Sequence, residues 1–477
     1  MPPSLALLIW FAALICLIRF DPANERSLSL SLWVPLTSFF ILGSRNPSQW
    51  LGGQVGMSAQ SFEEGNPLDR IISLSLILLA VGILMSRSFK WGDFFARNLA
   101  LTSLLTYALV SVCWSDFPFI AFKRWFRDIG TYLMVLVILS DPRPLEAVRT
   151  VLRRLSYLLI PLSIVLNKYF PELSRVFDPW TGMGFYGGAT TSKNMLGAVC
   201  MISGVFFFWD TVTRWPERKK RRTKRILCIN AAFIAMTLWL LNSAASTTST
   251  VCMALACLVI AVVHTRMFRR NPKFFKALIP ACFCLYLILD FGLGMNGSMA
   301  QAVGKDPTLT DRTKIWAFVL TMHTNPIIGT GYQSFWLGSR LAYFWEHSGL
   351  GQLNESHNGY LETYLNLGLL GDLFLIGFLI SSYREICRRM TAHSSIAVLG
   401  MGTWMALVFY NMSEAGFLGG LLYTTFLIAT VAVPTRAKSQ VRSAAPVERA
   451  AAAEYVTSPP MNMGSGGEKN GYTYRTS

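Results

Sequence analysis

Two strings in this chain hold most of the residues able to do chemistry. Glu355-Ser356-His357-Asn358-Gly359-Tyr360-Leu361-Glu362 runs straight into an apolar stretch, and Asp311-Arg312-Thr313-Lys314-Ile315-Trp316 lies upstream of it. An imidazole with an ordinary pKa near 6.5 can take or give a proton at neutral pH. A carboxylate such as Glu355 beside it can orient the ring or stand in for it. The planar guanidinium of Arg312 suits the bidentate holding of anionic oxygens. Lys123, Arg124 and Arg127 follow Trp114-Ser115-Asp116-Phe117-Pro118, and Lys193 opens another apolar run. Ionisable groups at the mouth of a membrane span are costly to keep there, so all of them are site candidates.

The elements that must position them follow from composition. The chain has 477 residues, 52% hydrophobic and only 14% charged, with a mean hydropathy of +0.41. Soluble proteins carry about 25% charged residues, so a water-soluble enzyme is not expected and an all-α polytopic membrane protein is. Measured against the roughly 20 apolar residues that cross a bilayer, eleven clear runs emerge, from 4–19 to 418–433, with shorter ones near 129–140 and 156–167. Twelve or thirteen spans are therefore expected, with the side of the N-terminus left open.

The net charge of +17 reads as topology rather than as a nucleic-acid surface, because the basic residues lie between apolar runs. Residues 213–225 carry eight, 265–276 five, 141–155 four, and 87–97 and 384–395 three each. All five segments fall on one face, which the retention of Lys and Arg marks as cytoplasmic. The opposite face receives 44–69, 114–128, 168–192, 243–249 and, largest, 294–358. The first span lacks a basic leader and a cleavage pattern, so it reads as a helix that stays in place. A transmembrane domain over 1–433 and a disordered cytoplasmic tail over 434–477, rich in Ala, Ser, Pro and Gly, complete the expected organisation. The nine cysteines offer no pair for an external disulfide. Gly184, Gly187 and Gly188 ahead of Ser192-Lys193-Asn194 fit either an anion-binding nest or a turn capped by Ser192.

The string from Ser356 to Gly371, the Asp-Arg-Thr-Lys-Ile-Trp string and Pro326-Ile327-Ile328-Gly329-Thr330-Gly331 occur in this order around one large outer loop. In that arrangement they resemble the O-antigen ligase and polymerase superfamily, most closely its exopolysaccharide polymerases. Lys193-Asn194-Met195-Leu196-Gly197 and the Trp114 string agree, so the likeness covers 98–433 in outline. It departs at Ser246-Thr247-Thr248-Ser249, where such proteins usually carry a cation between Ser and Thr.

The resemblance implies glycosyl transfer on the outer leaflet of a bacterial inner membrane, from an undecaprenyl-diphosphate-linked oligosaccharide to an acceptor hydroxyl. It implies no cofactor and no metal, with arginine forks stabilising the leaving diphosphate. Arg312 and Arg124 are then the diphosphate ligands, supported by Arg127, Lys123 and Lys193. His357 is the general base, with Glu355 orienting or replacing it. Trp316, Tyr332, Trp336 and Tyr360 are candidates for stacking on sugar rings. Each has a plainer reading: aromatics belong to headgroup belts, and Arg124 and Arg127 could be snorkelling residues. The expected partners are the lipid-linked oligosaccharide, membrane lipids, chain-length regulators and polysaccharide export proteins, with no nucleic acid. A ligase transferring a glycan to lipid A core or protein is the near rival, and a transporter or flippase the distant one. Most ionisable residues sit at span ends rather than mid-span, which speaks against transport.

Overall fold

A computed structural model describes residues 1–21, 29–53, 65–177, 184–265, 312–391 and 394–433, with 268, 277 and 280 as isolated positions. These residues lie in one compact unit, Met1–Val433. The expected span at 277–293, the start of the large loop with Asp311, the cysteines Cys282 and Cys284, and the tail fall outside the described residues.

The protein is an all-α multi-pass membrane protein. Leaving aside single turns, its helices are α1 (Pro3–Arg19), α2 (Trp33–Leu42), α3 (Pro67–Ser86), α4 (Trp91–Arg97), α5 (Leu99–Val110), α6 (Pro118–Leu139), α7 (Pro144–Tyr169), α8 (Lys193–Arg214), α9 (Arg221–Ala244), α10 (Thr247–Val263), α11 (Arg312–Thr321), α12 (Gly338–His347), α13 (Gly359–Thr391), α14 (Ser395–Tyr410) and α15 (Gly420–Thr430). Strands β1 (Arg175–Phe177) and β2 (Gly184–Tyr186) form one antiparallel hairpin. Among the described residues five helices are long and apolar enough to cross a bilayer, and α4 with α5 makes a sixth, bent by 97°. Five shorter apolar helices accompany them. The bend sits at Asn98, whose backbone leaves the helical region and whose side-chain amide pairs with both the N–H and the C=O of Ala432.

Two sequence expectations change. The outer segment 114–128 is largely helix: Pro118 occupies the first turn of α6, where its missing N–H costs nothing, and the helix runs through the cations into the apolar half at 129–139. Likewise the basic segment 141–155 is not a loop, because Pro144 starts α7 and carries Arg149, Arg153 and Arg154 on a helix. Those arginines are consumed by buried acids. Asp210, fully buried on α8, takes Arg153 at 2.8 Å, Arg214 at 2.9 Å, Arg149 at 3.3 Å and the Asn230 amide at 3.1 Å. Asp21, after α1, takes Arg154 at 3.1 Å and Arg153 at 3.6 Å. The network ties α1, α7, α8 and α9 together at one end of the bundle. Removing one member of a buried pair strands the other charge and costs about 3–5 kcal/mol. Asp210→Ala is therefore expected to lower the unfolding midpoint of detergent-extracted protein strongly, and an unchanged midpoint would show that the network carries no stability.

The other end of the bundle collects the N-termini of α3, α6, α8 and α13 and the turn between α14 and α15. Helix α13 is broken at Gly368 (φ 67°, ψ −170°). The turn segment 326–331 fills the break: Thr330 N–H donates to Leu365 O at 3.2 Å and Gly331 N–H to Asn366 O at 2.8 Å. In return Leu369 N–H donates to Pro326 O at 2.9 Å and Leu370 N–H to Ile327 O at 3.1 Å. The groups orphaned by the break thus find partners away from water, as a bilayer requires.

Candidate active site

Immediately before α13, Asn358 accepts from the N–H groups of Tyr360 and Leu361 at 3.1 Å each, capping the helix. Ser356 N–H donates to Glu362 one turn in, at 3.0 Å. The Trp316 indole, from α11, donates to Ser356 O at 2.9 Å. Gly359 N–H donates to Asn411 O at the end of α14. These ties hold His357 in a left-handed conformation (φ 49°), a strain of about 1–3 kcal/mol that persists only where the surroundings enforce it.

So held, His357 Nδ1 lies 3.0 Å from Glu355 and 3.4 Å from Glu414. Glu414, almost fully buried in the turn after α14, also pairs with Arg312 at the start of α11 and accepts from Asn194 in the first turn of α8 at 3.0 Å. Three separate elements thus converge on one acid. Burial by itself would push the His357 pKa down, but the two carboxylates outweigh it and raise it to about 10. Burial acts to raise Glu355, while His357 and Arg312 hold it below the ordinary carboxylate value. The two carboxylates thus favour the protonated form of the ring. Glu355, His357 and Glu414 each offer a ligand atom within 4.8 Å of the others. A divalent ion there would have to displace the imidazolium proton and stand beside the Arg312 guanidinium. Two cations already pair with these carboxylates, which disfavours a metal there.

Glu355 also lines a cavity of about 1100 Å³, bounded by α3, α6, the 332–336 segment and the turn at 415–420. Arg124, Arg127, Lys123 and Arg70 stand in its wall. Arg124 donates to Gln333 O at 2.6 Å, and Arg127 pairs with Asp128 at 3.0 Å. Asp128 in turn accepts from Tyr332 and Gln333, fixing Gln333 at φ 47°. Trp336 donates to Glu362 at 2.9 Å, and both line the cavity.

The site residues named from sequence are thus divided. Tyr332 and Trp336 face the cavity with Arg124 and Arg127, whereas Arg312 and His357 are not in its wall and meet it through Glu355. Lys193 does not line the cavity and sits over the Phe185 ring of β2 at 3.9 Å. Trp316 and Tyr360 serve packing: Tyr360 donates to Val408 O and meets Phe417 edge-on. The glycine turn is no anion nest, because Gly188 N–H is taken by Asn167 and Ala189 N–H by Ser163. Its alternative stands, with Ser192 capping α8 through Met195 N–H. The 246–249 turn packs against the same corner, Thr248 meeting Ser413 at 3.0 Å. Sequence reasoning assigned no role to Glu414, Glu362, Asp128 or Arg70. Only Glu414 left a signal, as a lone acid between two apolar runs.

Residues 231–376, which include Arg312 and His357, match the O-antigen ligase family. The exopolysaccharide production protein ExoQ of Rhizobium meliloti (strain 1021) is 24% identical over 327 residues, covering 65% of this chain and 70% of that protein. Both findings mark a likeness to the O-antigen ligase and polymerase superfamily, the family match covering under half of the chain. The matched segment holds Arg312 and the α13 side of the site. Arg124, Arg127 and Glu414 lie outside it.

Proposed function

We propose that the protein polymerises undecaprenyl-diphosphate-linked oligosaccharide repeats into exopolysaccharide at the outer face of a bacterial inner membrane, with its C-terminus in the cytoplasm. The observation carrying this reading is the pairing of a buried Arg312–Glu414–His357–Glu355 chain with a cation-lined cavity that Glu355 shares. The name of the relative supports exopolysaccharide as the product class.

The cavity cations Arg124 and Arg127, with Lys123 and Arg70, hold the donor diphosphate. The acceptor hydroxyl lies against Glu355. As its oxygen bonds to the anomeric carbon, the bond from that carbon to the phosphate oxygen breaks, the hydroxyl proton passes to Glu355, and the diphosphate leaves with the electron pair. One direct displacement inverts the anomeric centre. Glu355 replaces His357 as proton acceptor in this scheme because the ring is already protonated. His357 and Arg312 instead neutralise Glu414 and fix Glu355. Arg312 is assigned there rather than to the diphosphate because it is bound to Glu414 and absent from the cavity wall.

Proteoliposomes given a lipid-diphosphate-linked repeat unit should yield a ladder of longer lipid-linked products in the presence of EDTA. Loss of activity with EDTA and its return with a divalent cation would overturn the metal-free scheme, and transfer solely to lipid A core would identify a ligase. The pH dependence separates the two candidate bases. With Glu355 held low and His357 raised to about 10, kcat/KM should stay level across neutral pH. It should fall on the acid side only below the ordinary glutamate value of about 4.3, and on the alkaline side near pH 10 as the imidazolium is lost. An acid limb near 6.5 would restore a neutral His357 as the base.

A further inference from the structure

The contact between His357 and Glu414 joins segments 57 residues apart, and one residue holds both of them. Asn411 closes α14 and is fully buried. Its Nδ2 donates to Leu407 O at 2.8 Å, one turn back, while its Oδ1 accepts from Gly416 N–H at 2.7 Å. The second bond folds residues 411–416 into a closed turn, and Glu414 stands within it. The main-chain oxygen of Asn411 accepts from Gly359 N–H at 2.8 Å, two residues beyond His357. The fit is tight on this side as well: a Cβ on Gly359 would lie 2.0 Å from Asn411 Oδ1. A carboxamide offers a donor and an acceptor at once. Ionised aspartate has no donor for Leu407 O, serine is shorter, and glutamine is longer by a methylene.

We infer that Asn411 is a positioning residue of this site: its carboxamide folds the turn that presents Glu414 to His357, and its carbonyl fixes the start of α13, to which His357 leads. Its effect on turnover rests on the reaction proposed above, whereas its effect on the ring does not. The competing role is that of a plain helix terminator, which would set stability alone. His357 is also faced by Glu355 from its own segment, and Glu414 by Arg312 from α11 and Asn194 from α8. Tyr410 on α14 and Cys252 on α10 stand near enough to feel the charge of Glu414. None of these groups bonds to the Asn411 side chain, so withdrawing that side chain acts on the ring through the position of Glu414.

The test follows the ring itself, by 15N NMR of full-length protein in detergent with labelled histidines. The His357 signal is the one lost in His357→Gln. In the wild type the ring should titrate near pH 10. In Asn411→Ala, with one of two opposite charges drawn away, the midpoint should fall to about pH 9 or below. Thr403→Ala removes a buried hydroxyl that bonds only within α14, and should leave the midpoint unchanged. If Asn411→Ala fails to accumulate, Gly359→Ala displaces the same carboxamide from the opposite side and should move the midpoint the same way. In proteoliposomes kcat should drop about tenfold or more, the alkaline limb should move with the NMR midpoint, and KM for the lipid-linked unit should stay within about twofold. An unshifted His357 in Asn411→Ala, whatever its unfolding midpoint, would overturn the inference and leave a helix terminator. The titration needs no substrate. A shifted ring in a protein that forms no polymer would leave the positioning role standing and remove the reaction, and polymer formation with an unshifted ring would do the reverse.

Discussion

In a deletion strain complemented with His357→Ala or Arg312→Ala, polymer output should fall by roughly two to four orders of magnitude, the range for losing the proton-transfer group that both residues position, and single lipid-linked repeats should accumulate. Both residues act through Glu414, whose carboxylate is nearly sealed from solvent and satisfied by Arg312, His357 and Asn194. Removing either cation leaves that acid short of a countercharge in a low-dielectric corner. It also releases Glu355, whose low pKa depends on His357 first and Arg312 second among its charged neighbours. Arg312→Lys should be nearly as damaging, because an ammonium on a flexible stem cannot reproduce the planar guanidinium's reach. Glycan gel profiles, read with immunoblots of membrane protein, measure the outcome. Wild-type output from both alanine variants at normal protein levels would remove this cluster from the reaction.

How much of this was legible beforehand depends on the range of the interaction. Hydropathy and charge placed the bundle and the position of His357 at the mouth of α13, because span length is a local property. The pairing of Glu414 with His357 is not local: 57 residues separate them, and only the packing of α14 against α13 brings them together. For the same reason the imidazole's ordinary pKa was the natural starting value, and two carboxylates from different segments reverse its protonation state. Basic residues on 141–155 were read as loop cations because a sequence shows charge but not its partner. Asp210 and Asp21, far away in the chain, turn them into buried ties. The cations of α6 were visible, but their common wall with Arg70 of α3 was not.

Gly368→Ala should abolish activity as completely as loss of His357, although residue 368 bears no chemistry. Its backbone lies at φ 67° and ψ −170°, a region essentially reserved for glycine, where an L-residue alone costs roughly 1–3 kcal/mol. The larger penalty is steric: a Cβ there would sit 2.3 Å from the carbonyl carbon and oxygen of Ile327 and 2.5 Å from Ile328 N, all backbone atoms that cannot rotate aside. Relief requires pushing out the 326–331 segment, with the four hydrogen bonds it makes to the broken helix. That segment leads directly into Tyr332 and Gln333, which hold Asp128 and Arg124 at the cavity wall. The break therefore works as the mount that aligns α6 cations with the α13 cluster. Gly329→Ala should act alike, since its Cβ would meet Asn366 backbone at 2.4 Å from the other side. Gly377→Ala, in the same helix with open space around its Cβ, should behave as wild type. The complementation assay with protein levels checked decides the matter. If Gly368→Ala and Gly377→Ala were equally active, the inserted segment would not be what sets the distance between the two halves of the site.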